Sequence, residues 1–401
     1  MKKILSAFLI MFVFFSSPIF TNCFYTSSCC VAYAEQSQQN DIESELTENL
    51  DNQLANLNAG ELDIIIKDLS ATYLIEPTTF VDALRKVVAG ELNIDAQSFL
   101  GFISGLFIDD VVSFLPYVCL IIAIAVLYSM VNASRSGKNK GLSDVIHFVC
   151  YGATVVIVLI WVANILNMSS STLMSIKNQM EAIFPLLLTV LTALGGSISV
   201  NVFQPAMAML SGGVLSVFVN VLLPIFTFVL VFTIISHLTS GIKFGKFSEF
   251  FSSAFKWIMG IVLMLFSAVV SIQGLMAGSI DSISIKTAKY TIKSAIPVIG
   301  GFISDGVNLI MASSVLIKNA IGVGGVLLLF GTIILPIIKI IVFSFLLKLA
   351  SAILEPIADS RLTGFVSSIA KSIQLLVALI VGVAFMYFVM IALVMCSTNV
   401  L

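Results

Sequence analysis

The sequence predicts an all-α fold: a polytopic α-helical membrane protein with an internal repeat and a short exported N-terminal helical region. Three observations predict it. Of 401 residues, 59% are hydrophobic and only 10% charged, with a mean hydropathy of +1.09, against roughly 45–50% apolar and about 25% charged residues in soluble domains. The apolar residues gather into runs of about 20, the length a helix needs to cross a bilayer. Finally, the net charge of −2 hides a split: residues 35–105 hold thirteen acids and three bases, whereas 106–401 hold nine acids and fifteen bases. An acidic stretch ahead of a basic-flanked apolar body suits export of the first and retention of the second.

Residues 1–34 read as a signal peptide. Lys2 and Lys3 form its basic start, Ile4 to Phe15 its apolar segment, and Ala32-Tyr33-Ala34 an A-x-A cleavage site followed by polar Glu35, Gln36 and Ser37. Residues 35–105 form the exported acidic region. Its first twenty are polar and poor in aromatics. Leu62, Ile65, Ile66 and Leu69, then Phe80, Leu84, Val87 and Val88, recur at helical spacing. These helices are short for an independent core and need the membrane body or a partner to pack on. Of the six cysteines, Cys23, Cys29 and Cys30 fall in the targeting segment and Cys119, Cys150 and Cys396 in apolar runs. The mature exported region therefore has no disulfide framework and no thiolate metal site.

Residues 106–182 carry the first two transmembrane spans, Val111 to Val131 and Val145 to Leu166. Between them stand Arg135, Lys138 and Lys140, so that this loop is retained in the cytosol and the first span runs inward. Two repeats follow, 183–294 and 295–401. Gly212-Gly213-Val214-Leu215 matches Gly324-Gly325-Val326-Leu327, and Leu223-Pro224-Ile225 matches Leu335-Pro336-Ile337 at the same offset. Each repeat holds a Pro-led segment (183–200; 295–315), a segment from the glycine pair to Leu-Pro (205–236; 320–345) and a last apolar segment (257–277; 366–395). Six spans result if the Pro-led segments are re-entrant, eight if they cross, and charge counts at the two sides do not choose between them. Parallel and inverted repeats both remain open at this level.

The candidate functional residues are those a membrane tolerates least or uses most. Intramembrane charge is costly and marks function. That singles out Asp305 in the glycine-rich Gly300-Gly301-Phe302-Ile303-Ser304-Asp305-Gly306, Lys339 in an otherwise apolar run, and the loop trio Glu355, Asp359 and Arg361. The pairs Gly212, Gly213, Gly324 and Gly325 read as sites of close helix approach. His147 and His237 sit at run ends without ligands at metal spacing. No phosphate loop, dinucleotide fingerprint or nucleophile elbow occurs, so catalysis, cofactors and nucleic acid are not expected.

Ala288-Lys289-Tyr290-Thr291-Ile292-Lys293-Ser294-Ala295-Ile296-Pro297-Val298-Ile299-Gly300-Gly301, then Ser304-Asp305, Leu316-Ile317-Lys318-Asn319-Ala320-Ile321-Gly322 and Glu355-Pro356-Ile357-Ala358-Asp359-Ser360-Arg361 resemble the stage III sporulation AE family of endospore-forming bacteria. The likeness extends over nearly the whole chain and is weakest in 35–100. It implies a subunit, without chemistry of its own, of the channel that joins mother cell and forespore and sustains late forespore gene expression. The partners it implies are the lipid of the mother-cell-derived membrane, other membrane subunits of the complex and a forespore-side protein; association with copies of itself fits the same setting. The competing reading, from the repeat and the intramembrane charges, is a self-contained secondary transporter with its site at the repeat interface.

Overall fold

In a computed structural model of the chain, residues 96–133, 140–238, 244–295, 300–358 and 360–397 are described. The signal peptide, most of the acidic region and Asp359 lie outside them. Among the described residues there is no strand. Among the described residues six helices are long and apolar enough to cross a membrane: α1 (Ala96–Ala133), α2 (Lys140–Ala193), α3 (Ser197–Leu238), α4 (Gly245–Ala295), α5 (Gly300–Leu354) and α6 (Ser360–Cys396). The chain is thus a multi-pass α-helical membrane protein.

The helices alternate in direction, and interhelical contacts fix this. Along α5 and α6, Lys318 pairs with Met395, Ser344 with Ala370 and Ser351 with Thr363, so one number rises as the other falls. The same holds for α3 and α4, through Thr233 with Ser248 and Gln273 with Val202. Tyr151 and Phe184 of α2 meet Phe365 and Tyr387 of α6 in parallel order. It follows that α3 and α5 run one way and α4 and α6 the other, so the two matched segments have the same orientation. They are parallel, not inverted.

The Pro-led segments do not form separate spans. Residues 183–193 complete α2, which continues unbroken for 54 residues, a rise of ~80 Å. The polar stretch Met168–Glu181 would suggest a loop, yet its hydroxyls fold back onto the helix. Ser169 donates to the Ile165 carbonyl at 2.7 Å and Thr172 to that of Met168 at 2.7 Å. On the inner side Leu173, Ile176, Met180, Ile183 and Leu187 continue the buried stripe at helical spacing. The helix ends in a turn where Gly195 has φ 78°, a conformation that glycine adopts at no steric cost. A Cβ on the next residue, Gly196, would stand 3.0 Å from the Leu191 carbonyl oxygen.

The C-terminal helix α6 is the core of the bundle. Val366, Ile369, Ala370, Ile373, Leu376, Leu379, Ile380, Val383, Met386, Tyr387 and Met390 are all at most 1% exposed, because α2, α3, α4 and α5 surround it. The two matched segments differ in backbone. In α3 the backbone opens into π-helix at Met209–Val214 and again at Phe218–Leu222, around Gly212-Gly213 and just ahead of Pro224. In α5 the matching residues stay α-helical through Gly324-Gly325 and Pro336.

Candidate functional site

The structure separates the two glycine pairs. Gly324 and Gly325 are buried, and a Cβ on Gly325 would stand 3.1 Å from both Ile183 of α2 and Ile391 of α6. That is a three-helix contact only glycine permits without displacement. Gly212 and Gly213 face outward from the π-helical segment. A Cβ would meet nothing within 4 Å on Gly212, and only Met209 of its own helix, at 3.8 Å, on Gly213.

The predicted charges fall in different places. Asp305 belongs to the first turns of α5, and its side chain is outside the described set. Glu355 is exposed in the turn after α5, and Arg361 is half-buried in the first turn of α6. Lys339 lies fifteen residues before Leu354, the end of α5, ~22 Å along the axis, so it does not join that loop. Its charge acts instead on the Asp110 carboxylate of α1, and both side chains are half-buried. Around them, Phe114 packs on Trp161 at 4.5 Å and on Phe343 at 5.2 Å. Asp110 and Lys339 each lie one turn before a ring of that cluster. One Asp110 oxygen and the Trp161 indole nitrogen are buried without a hydrogen-bond partner. The seam of α1, α2 and α5 therefore brings two half-buried opposite charges beside an aromatic cluster within apolar runs, an arrangement costly enough to require a reason.

Lys318, in contrast, is a buried charge. Fully buried, it donates to the Met395 carbonyl at 2.9 Å. The last carbonyls of a helix lack intrahelical donors and carry its negative dipole end, so this ammonium caps α6. One turn further along α5, Gly322 leaves the room that the Met395 side chain occupies, since a Cβ there would approach Met395 Cγ to 2.6 Å. The segment Lys318-Asn319-Ala320-Ile321-Gly322 is thus a seat for the end of the core helix. At the opposite end His237 lies against α6, with its Nδ1 2.9 Å from the Thr233 carbonyl, and a Cβ on Gly364 would reach the ring at 3.2 Å. Among the described residues no three His, Cys, Asp or Glu side chains gather as metal ligands would.

The most extended feature is a surface. Large apolar side chains face outward from α1, the first half of α2, the second half of α3, α4 and α5, among them Leu127, Val156, Phe228, Leu265 and Ile341. From Ser175 to Asn220 the only one is Met209. The exposed residues there are Ser175, Asn178, Glu181, Thr189, Thr192, Ser197, Asn201, Gln204, Ser216 and Asn220, with prolines, glycines and alanines between them. They recur at three- and four-residue steps along both arms of the α2–α3 hairpin. Glu181 accepts an ion pair from Lys177 at 3.5 Å, and Asn220 donates to Ser216 at 2.9 Å. The inner faces of the same arms carry Ile183, Leu187, Phe203 and Phe218, all fully buried. A face so poor in large apolar groups suits water or protein and is ill matched to lipid.

Comparison with known proteins adds the following. The sequence model of the family described as stage III sporulation protein AE matches residues 78–398. Stage III sporulation protein AE of Bacillus subtilis (strain 168) is 23% identical over 372 residues, which cover 92% of this chain and 93% of that protein. No solved structure matches.

Proposed function

Since this chain belongs to the stage III sporulation protein AE family, and hence to the sporulation machinery, we propose that it acts as a membrane subunit of the channel complex between mother cell and forespore. It does so without chemistry of its own and supports late forespore gene expression. The observation that carries this reading is the polar outer face of the α2–α3 hairpin. A protein that works alone in lipid has no use for such a face, whereas a subunit places it against a neighbour or along an aqueous path. The basic connections support the orientation. Arg135, Lys138, Lys140, Lys243 and Arg361 belong to the junctions at one end of the alternating bundle, and cationic loops are retained inside. That end faces the mother-cell cytosol, and the acidic N-terminal region faces the space around the forespore.

The test is complementation of a deletion strain. Leucine at Asn178, Thr189 and Asn201 together should leave membrane abundance intact by immunoblot and abolish forespore gene expression. Full activity of that triple variant at normal abundance would refute the reading. The Asp110–Lys339 seam favours a second reading, a secondary transporter with an internal polar site. Purified chain alone in liposomes would then move a solute, whereas a subunit is inert without its partners.

A further inference from the structure

The internal repeat holds an occupied copy of a face that is bare elsewhere. At the offset that pairs Gly212-Gly213 with Gly324-Gly325, Met209 matches Ile321, Ser216 matches Leu328 and Asn220 matches Thr332. In α5 these positions are covered: Ile321, Gly324, Gly325 and Leu328 are buried and Thr332 is half-buried. In α3 their counterparts Met209, Gly212, Gly213, Ser216 and Asn220 are all exposed. The opposite sides reverse the other way, since Phe218 is fully buried and its counterpart Phe330 is 53% exposed. The two helices thus bury opposite faces. In a tandem array each unit packs only on its neighbours, so the first unit lacks the cover that the second receives from the segment before it.

What that cover consists of is visible on α5. It is the outer half of α2, running antiparallel. Ile183 lies over Gly325, where a Cβ would stand 3.1 Å from it, and one turn earlier on α2 the Gln179 amide donates to the Thr332 hydroxyl at 2.6 Å. A branched aliphatic group over glycine and an amide over a hydroxyl, both on one helix, make the contact. On α3 the receiving half is kept and the giving half is missing. A Cβ on Gly213 would meet only Met209 of its own helix, and Asn220 stands in the place of Thr332, bonded to Ser216 at 2.9 Å. Glycines that admit a close helix and amides that bond across it are what helix association in lipid uses. Gln179 and Ile183 are themselves fully buried, so the same segment of a second copy is closed to this use.

We propose that the Gly213–Asn220 face of α3 is the docking site for one membrane helix of another protein, antiparallel to α3, with a branched aliphatic side chain over Gly213 and an amide over Asn220. This rests on the subunit reading above and specifies the neighbour.

The experiment places a benzophenone photo-cross-linking residue at single positions of the full-length chain in sporulating cells. At Met209, already a large side chain on the edge of the face, it should give one discrete adduct whose cross-linked peptide comes from a membrane-spanning helix of another protein. At Phe228, outward on the apolar half of the same helix, it should give none. Adding Gly213→Leu should abolish the Met209 adduct at normal membrane abundance. Asn220→Leu should weaken it about threefold, the worth of one interhelical hydrogen bond in a membrane, whereas Asn220→Thr, which installs the residue α5 uses, should retain it. Equal adducts at Met209 and Phe228 would overturn the proposal, as would an adduct that survives Gly213→Leu or an Asn220→Thr loss as deep as that of Asn220→Leu. An adduct only within the chain or only with a second copy would also overturn it. If no protein adduct forms at Met209 while leucine at Asn178, Thr189 and Asn201 still abolishes forespore gene expression, the docking site falls and the subunit reading stands.

Discussion

Replacing Gly322 by alanine tests how the core helix is held. The new Cβ would come within 2.6 Å of Met395 Cγ, nearer still to its sulfur, and 3.3 Å from its terminal methyl. Cγ is not the loose end of the side chain, so Met395 cannot step aside without changing its rotamer or shifting α6. Overpacking of this kind costs about 1–3 kcal/mol. Against it stands the helix-propensity gain of Gly→Ala, about 1 kcal/mol, so Gly322→Ala alone should lower stability modestly. Met395→Ala removes the obstacle at its own cost. In that background Gly322→Ala should become neutral or stabilising, and the non-additivity of the double mutant should recover the steric cost of about 1–3 kcal/mol. The assay is the temperature at which detergent-solubilised protein loses its monodisperse elution peak, expected to fall by a few degrees for Gly322→Ala only when Met395 is present. Equal losses with and without Met395 would refute the proposed seat.

Three further outcomes are expected. Gly325→Leu should sharply lower membrane abundance by immunoblot, because Ile183 and Ile391 leave no room at 3.1 Å, while Gly213→Leu should leave abundance normal, since no other helix faces it. Asp110→Asn or Lys339→Met alone should reduce abundance by leaving one half-buried charge uncompensated in the α1–α5 seam, and the double variant should recover at least half of the loss, since no charge is then left without its counter-charge. Tyr387→Phe should hold or raise thermal stability in the elution assay, because the buried Tyr387 hydroxyl has no hydrogen-bond partner and an unsatisfied polar group costs about 1–3 kcal/mol.

Much of the fold was legible because lipid makes apolar run length informative. The first two runs, Val111 to Val131 and Val145 to Leu166, fall within α1 and α2. What composition concealed was continuity. Met168–Glu181 looks like a connection because it is polar, yet Leu173, Ile176 and Met180 keep the helical stripe on the inner side, and the serine and threonine hydroxyls satisfy themselves on backbone carbonyls. Prolines added to the illusion of breaks. Pro185 and Pro336 lie inside continuous helices, as neighbouring segments in a membrane protein allow. The direction of the repeats was out of reach because it depends on whether each Pro-led segment crosses, which only interhelical contacts reveal.

The candidate residues were legible in kind and not in place. Lys339 stood out as a charge in an apolar run, but its partner Asp110 sits beside Asp109 at the edge of such a run and resembles an interfacial acid. Lys318 and Gly322 appeared in a familiar motif without a role, since a cap on a helix end more than seventy residues away cannot be read from either segment alone. The two glycine pairs match in sequence and differ in environment, one inside a three-helix contact and one on a π-helical outer surface. That contrast exists only once the bundle is assembled. The polar face was hidden for a similar reason: averaged with the buried sides of α2 and α3, it belongs to two segments apolar enough to cross a membrane.

The central claim is that the outer surface divides into a lipid-facing part and an α2–α3 part that lipid does not touch. Spin labels on single cysteines in bilayer-reconstituted protein test it most directly, by comparing collision with oxygen, which concentrates in the hydrocarbon. Labels at Leu127, Val156, Leu265 and Ile341 should show high oxygen accessibility. Labels at Ser175, Asn178, Thr189 and Asn201 should show low oxygen accessibility, with access to a water-soluble nickel reagent wherever no neighbour covers them. High oxygen accessibility at both sets of positions would contradict the account.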